Sequence, residues 1–326
     1  LEPNLLGILC ARHKNQTAID KFIFIGDHKQ LPAVVQQSER ESIVSEPELI
    51  KIGMSDCRNS LFERLINIQK KNGSEEFIHM LFKQGRMHPE ISSFSNEIFY
   101  EKKLKPIPLK HQLEILHCPS YDKSDGLQNL IASHRLAFIV SKGDKNPISD
   151  KTNKDEAIRI SALLKTIYTI NKNNFNPQTV GVIVPYRNQI ALIRKEIKQL
   201  NIPALSDITI DTVERYQGSE RDFIIYGFTV QKIYQLEFLT GNVFKDNGQT
   251  IDRKLNVVLT RARKQLFLIG NPQILSYNII FQKLIKFIDN RQGVCDIPTE
   301  YFIQGKFSCS PADKTSVPDS RQKLNV

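Results

Sequence analysis

Short apolar runs alternate with helix-periodic stretches along most of this chain. Residues 22–25 (Phe-Ile-Phe-Ile) form an apolar run that stops at Gly26-Asp27, the pattern of a buried strand feeding a loop. Runs of the same kind occupy 136–140, 180–184, 223–230 and 266–269. Helical patterns lie between them. Asn153 and Glu156 have the N-cap and N3 spacing of a capping box, with Ile160, Leu164 and Ile167 following on one face. Residues 189–200 place Ile190, Ile193, Ile197 and Leu200 at helical spacing. Strand and helix in alternation predict a parallel sheet with crossover helices, an α/β fold. After Gly293 the pattern fades: Pro298, Pro311 and Pro318 stand among Ser, Asp and Lys, as in a partly ordered tail.

At 326 residues the chain is long enough for two domains of about 150 residues each. Hydrophobic residues at 40% and charged residues at 25% exclude a wholly disordered chain. No stretch approaches the roughly 18 apolar residues of a membrane span, so no membrane partner is expected. The opening Leu1-Glu2-Pro3 carries neither a signal peptide nor a methionine, which leads us to expect a piece of a longer protein. Cys10, Cys57, Cys118, Cys295 and Cys309 are odd in number and widely spaced, with no C-x-x-C pair. That argues against a zinc site or a disulfide framework and fits a reducing intracellular, cytoplasmic setting.

Where the net charge of +10 sits says more than its size. Residues 1–85 hold 11 basic and 11 acidic side chains and residues 293–326 hold 4 of each, so 86–292 holds 30 against 20, the entire excess. One basic lobe beside a neutral one suits a polyanionic partner.

No G-x-x-x-x-G-K-[ST] phosphate loop occurs in the chain. Asp155-Glu156-Ala157-Ile158 looks like a magnesium-holding acidic pair, but it follows a polar stretch and opens a helix, so capping accounts for it. Four segments remain: Gly26-Asp27-His28-Lys29-Gln30-Leu31-Pro32, Gln84-Gly85-Arg86-Met87-His88-Pro89, the stretch from Asp211 to Glu220, and the stretch from Leu255 to Arg263. In this order they resemble motifs III to VI of superfamily 1 helicases, in the nonsense-mediated-decay and helicase-nuclease branch. Val184-Pro185-Tyr186-Arg187-Asn188-Gln189 is similar to the TPYRxQ segment of that branch. The resemblance runs from Leu1 to about Asn271.

The resemblance implies RecA-like parallel sheets with flanking helices, of the P-loop NTPase type, forming the C-terminal part of a two-domain helicase core. Residues 1–85 would close the first RecA-like domain, 86–292 would form the second, and 293–326 the tail. The phosphate loop and the magnesium carboxylate would lie upstream of Leu1. The resemblance further implies ATP and Mg2+ as cofactors of the longer protein and single-stranded DNA or RNA as its partner, with no metal ligand in this chain.

The same resemblance assigns roles. Gln30 would sense the γ-phosphate, and Arg86 and Arg261 would reach it from the second domain, Arg261 as an arginine finger. A guanidinium forks onto phosphate oxygens and keeps its proton. Gly26, Asp27, Gln217 and Gly218 would line the nucleotide, with Glu220 accepting from the ribose. Pro32, Pro185, Tyr186, Arg187 and Thr212 would face the strand, through phosphates and base stacking. Against these stand plainer readings: surface ion pairs for the arginines, a turn glycine at Gly218, and a packed Tyr186. Where the family carries an adenine-stacking aromatic this chain has Gly85, for which Phe82 is a candidate substitute. The rival function is a non-hydrolysing nucleic-acid-binding scaffold derived from such a helicase.

Overall fold

The computed structural model describes residues 3–116, 125–144, 147–246 and 248–304. The chain divides into two compact units between Leu81 and Phe82. In the first unit the main regular element is helix α1, Leu61–Asn72. Ser60 caps it by accepting the Glu63 amide at 3.1 Å, and Gly73 ends it in the left-handed region at φ 69°.

The apolar run 22–25 is not a strand. Phe22 and Phe24 stack with ring centroids 6.2 Å apart, as i and i+2 side chains do on an extended backbone. Yet Ile23 is 79% and Ile25 is 85% exposed. A buried strand needs a ladder partner and a covering layer, and none lies beside this run among the described residues of the unit.

The second unit is built on a six-stranded parallel sheet. Its strands are β1 (Leu136–Val140), β2 (Val180–Val184), β3 (Thr209–Thr212), β4 (Arg221–Gly227), β7 (Ala262–Gly270) and β8 (Val294–Cys295). Strands β5 (Val243–Asp246) and β6 (Gln249–Asp252) form a separate antiparallel hairpin. The sheet order is β8-β1-β7-β4-β2-β3. The central strands are buried almost throughout, which is why they read as unbroken apolar runs. Helices α2 (Pro89–Ile98), α3 (Lys110–Leu113), α4 (Gly126–Ser133), α5 (Lys154–Ile170), α6 (Arg187–Gln199), α7 (Val213–Tyr216), α8 (Leu236–Leu239), α9 (Arg253–Leu259), α10 (Ile279–Asp289) and α11 (Thr299–Gln304) accompany the sheet, with a further short helix at Pro272–Leu275. Helices α4, α5 and α6 close one core against the sheet, through Leu127, Ile160, Leu164 and Ile193. This is the RecA-like α/β architecture.

Two sequence expectations change here and a third gains detail. The run at 223–230 ends as strand at Gly227, because Thr229 turns the chain at φ 54°. The capping box is half made: Asn153 accepts the Glu156 amide at 3.1 Å, but its own amide donates to Gln189 at 2.8 Å. The Glu156 side chain turns inward instead, where it is fully buried. The segment from Gly293, expected as a partly ordered tail, is packed onto the sheet up to Gln304. Strand β8 joins the edge of the sheet, Ile297 and Phe302 pack into the core, and buried Arg159 holds the Ile297 carbonyl at 2.7 Å. Pro311, Pro318, Cys118 and Cys309 lie outside the described residues.

No helix among the described residues is long and apolar enough to cross a membrane. Nor do they hold a group of three or more His, Cys, Asp or Glu able to bind a metal ion.

Candidate functional site

All six strands run parallel, so the sheet has an amino edge and a carboxyl edge, and the predicted residues of the second unit separate between them. The amino edge collects Arg86, Gln217, Gly218, Glu220 and Arg261. The loop ahead of β4 carries Gln217 to Glu220, and the turn from α9 into β7 carries Thr260 and Arg261. Arg86 reaches both: its Nε donates to Glu220 at 2.6 Å and its Nη1 donates to the Thr260 carbonyl at 3.2 Å. Both partners of the ion pair remain partly exposed, Arg86 at 32% and Glu220 at 43% of their side chains. Arg263 and Asp222 extend the cluster at 3.7 Å, and Lys264 meets Asp222 at 3.2 Å.

The loop that bears Arg86 is braced from behind. Gln84 closes it by exchanging two hydrogen bonds with Met87, both 2.9 Å. From α3, His111 donates to the Arg86 carbonyl at 2.8 Å, and buried Gln112 donates to the Met87 carbonyl at 2.8 Å and to that of Gln84 at 3.1 Å. The His88 amide donates to the Arg263 carbonyl at 2.9 Å, which ties this loop to β7. Burial, with the charges of Arg135 and His111 beside it, pushes His88 down to about 4. The ring is therefore neutral near pH 7, as it must be for Nδ1 to accept the Glu90 amide at the start of α2. Sequence reasoning missed His111 and Gln112, since a four-residue helix leaves no periodic signal.

Arg261 is differently placed. It is 2% exposed, and its guanidinium donates to the Val257 carbonyl at 3.0 Å, Thr260 Oγ1 at 3.0 Å and the Ser219 carbonyl at 3.4 Å. Its own carbonyl accepts the Arg221 amide at 3.1 Å, joining β7 to β4. Gly218 stands in the left-handed region at φ 87°, and a β-carbon there would meet nothing within 4 Å. Glycine is needed for the turn, and the space beside it is open, which fits the approach of a polyphosphate to exposed backbone. Gly85 faces Leu109 and Ile107, while Phe82 stays 49% exposed.

The carboxyl edge carries the other group. Pro185 and Tyr186 follow β2, and Thr212 ends β3; all three are buried, and Arg187 is exposed. Tyr186 is covered by Phe238 from α8, with ring centroids 4.9 Å apart and planes 23° apart. Beside them Glu156 accepts the Thr229 amide at 2.8 Å and the Ser141 hydroxyl at 3.3 Å, and burial pushes its carboxyl up to about 8.

The remaining predicted residues belong to the first unit. Asp27 accepts the Lys29 amide at 3.0 Å and the Gln30 side-chain amide at 2.9 Å, which shapes a tight polar turn. A β-carbon on Gly26 would make only ordinary contact with Phe62 at 3.5 Å, and Pro32 is partly exposed in the same loop.

A family profile described as AAA domain matches residues 57–273. The chain is 31% identical over 273 residues to the "Uncharacterized ATP-dependent helicase MJ0104" of Methanocaldococcus jannaschii, covering 82% of this chain and 34% of that protein. It is 26% identical over 295 residues to the human DNA replication ATP-dependent helicase/nuclease DNA2, covering 86% of this chain and 25% of the relative. To the DNA polymerase alpha-associated DNA helicase A of Saccharomyces cerevisiae it is 26% identical over 276 residues, covering 81% and 35%. The chain thus spans about a quarter to a third of the length of these relatives.

Proposed function

This chain belongs to the AAA domain family, and on that premise we propose that it is the C-terminal part of an ATP-dependent nucleic-acid helicase, coupling ATP hydrolysis to movement along single-stranded DNA or RNA. The observation that supports this most is the meeting of Arg86, Glu220 and Thr260 at one sheet edge, from segments 134 and 174 residues apart. Phosphoryl transfer to water needs positioned positive charge more than covalent chemistry. Arg86 supplies it by exchanging Glu220 for the γ-phosphate, which frees Glu220 to accept from the ribose. Arg261 follows by releasing the Ser219 carbonyl, which it holds at 3.4 Å against 3.0 Å for Val257 and Thr260. Gln217 and Gly218 offer backbone to the nucleotide, and the family's phosphate-sensing role falls to Gln30, in the turn it shares with Gly26 and Asp27. Mg2+ and the phosphate loop belong to residues outside this chain, which alone does not hydrolyse ATP. The carboxyl edge, with Arg187 exposed, takes the strand. An intracellular, cytoplasmic place goes with such a substrate.

The test is Arg86→Ala in the intact protein that contains this chain. Strand-stimulated hydrolysis should fall by about 10³-fold or more, as when an arginine finger is removed, with strand affinity unchanged. Near-normal turnover would leave the non-hydrolysing scaffold as the better reading.

A further inference from the structure

Arg86 is bonded in two different ways. Its guanidinium pairs with Glu220, a partner that solvent still reaches. Its backbone is held by two buried side chains of α3, His111 at 9% and Gln112 at 3% exposure. The Arg86 carbonyl can only accept, so the His111 Nε2 at 2.8 Å carries the proton. Both amide hydrogens of Gln112 go to the same loop, to the carbonyls of Gln84 and Met87, while its oxygen accepts the Leu109 amide at 3.4 Å. That leaves one orientation for the amide: turned over, its oxygen would face two carbonyl oxygens. The helix is fixed to the sheet in turn. Arg135, buried just ahead of β1, donates to the Glu114 carbonyl that follows α3 and to the Lys264 carbonyl of β7 at 3.3 Å. A continuous path thus runs from β7 through Arg135 and α3 to the backbone of Arg86.

We propose that His111 and Gln112 are positioning residues for ATP hydrolysis: they hold the Arg86 backbone as a fixed pivot, from which its guanidinium swings off Glu220 onto the γ-phosphate. This rests on the reading of Arg86 as a phosphate-binding residue. A long side chain places its charge well only if its root stays still, and a misplacement of about 1 Å can cost about 10²-fold in rate. The pattern of bonds matches that demand, with a braced backbone behind and an exchangeable ion pair in front. An exposed ion pair contributes little to stability. It does not call for three hydrogen bonds from buried side chains behind it.

The experiment measures strand-stimulated ATP turnover in the intact protein that contains this chain, with Arg86 present and with Arg86→Ala. His111→Phe keeps a ring without the donor, and Gln112→Met keeps the length without either amide hydrogen. Each should lower kcat by about 10- to 100-fold. KM for ATP and strand affinity should change little, since the contact being lost is one made in the transition state. His111→Gln, which returns a donor near the place of Nε2, should restore most of the rate. On the Arg86→Ala background neither variant should lower kcat further, because no guanidinium is left to place. Equal fold-losses on both backgrounds would overturn the proposal and make the two residues structural supports. So would normal kcat in both variants, which leaves the nucleotide reading intact as long as Arg86→Ala alone is slow. Normal turnover in Arg86→Ala itself would overturn that reading, and the pivot with it.

Discussion

Glu156 holds the Thr229 amide at 2.8 Å, and both residues are completely buried although Thr229 carries a left-handed backbone at φ 54°. A β-branched residue adopts that conformation only when its surroundings impose it. The carboxyl group, reaching across from α5, is the constraint that fixes how the chain leaves β4. Burial raises its pKa from 4.5 to about 8, so the folded protein keeps a proton that the unfolded chain has released. Stability from this group is greatest below the unfolded value and declines as pH rises from about 4.5 to about 8. Glu156→Gln, neutral at every pH, should flatten that decline. Urea midpoints taken across this range would show it, and an unchanged slope would mean that another group sets the alkaline limb.

Gly181 in β2 is the tightest point of the sheet. A β-carbon there would stand 1.6 Å from the Tyr216 hydroxyl and 2.7 Å from Cζ. Tyr216 is 1% exposed and cannot step aside into solvent. Gly181→Ala should therefore destabilise by at least ~1–3 kcal/mol, the usual cost of overpacking. Adding Tyr216→Phe should recover part of the loss. Thermal melts of the three variants measure both effects, and equal melting temperatures would show that α7 can shift freely.

Arg261→Ala is expected to do two things in the intact protein. Hydrolysis should drop by about 10³–10⁵-fold, the worth of an arginine finger. The melting temperature should fall too, because the Val257 and Ser219 carbonyls each lose a hydrogen bond inside the protein. Arg261→Lys should rescue neither, since an ammonium lacks the fork that spans those acceptors. A variant that melts early yet turns over normally would make Arg261 a brace alone.

Binding of single strands to this chain should be steeply salt-dependent, with log affinity falling by about 0.7 per phosphate neutralised for each tenfold rise in salt. The concentration of basic excess in 86–292 is the basis for this. A flat titration between low and physiological salt would remove the basic lobe from the interface.

The strands Leu136–Val140 and Val180–Val184 were legible to the residue, because strands buried on both faces declare themselves as apolar runs. The run at 22–25 has the same signature and no ladder, since hydrophobicity states a need for a partner and not its presence. Glu156 was legible as a helix-start residue but not as a buried acid. Its backbone makes the cap, while the destination of its side chain depends on where β4 ends. The contact between Arg86 and Glu220 spans 134 positions, and no periodicity carries that distance. For Tyr186 the sequence offered both a strand-facing and a packed place, and its motif alone could not choose between them. What covers it, Phe238, comes from a segment without a motif.

The strand order β8-β1-β7-β4-β2-β3 also governs how the second unit can be made on a ribosome. Among the described residues strand β1 pairs with β7 and β8 alone, so its edges stay bare until residues 262–270 emerge, well over a hundred residues of synthesis after 136–140. At about 5–20 residues per second that wait lasts many seconds, during which an apolar strand with two open edges is a site for mispairing. Strands β2 and β3 face no such delay with each other, since they are neighbours in both sequence and sheet. Nascent chains stopped before residue 262 should therefore hold chaperones, and those extended past 295 should release them, with the last turn of order contributed by the segment that looked least structured in the sequence.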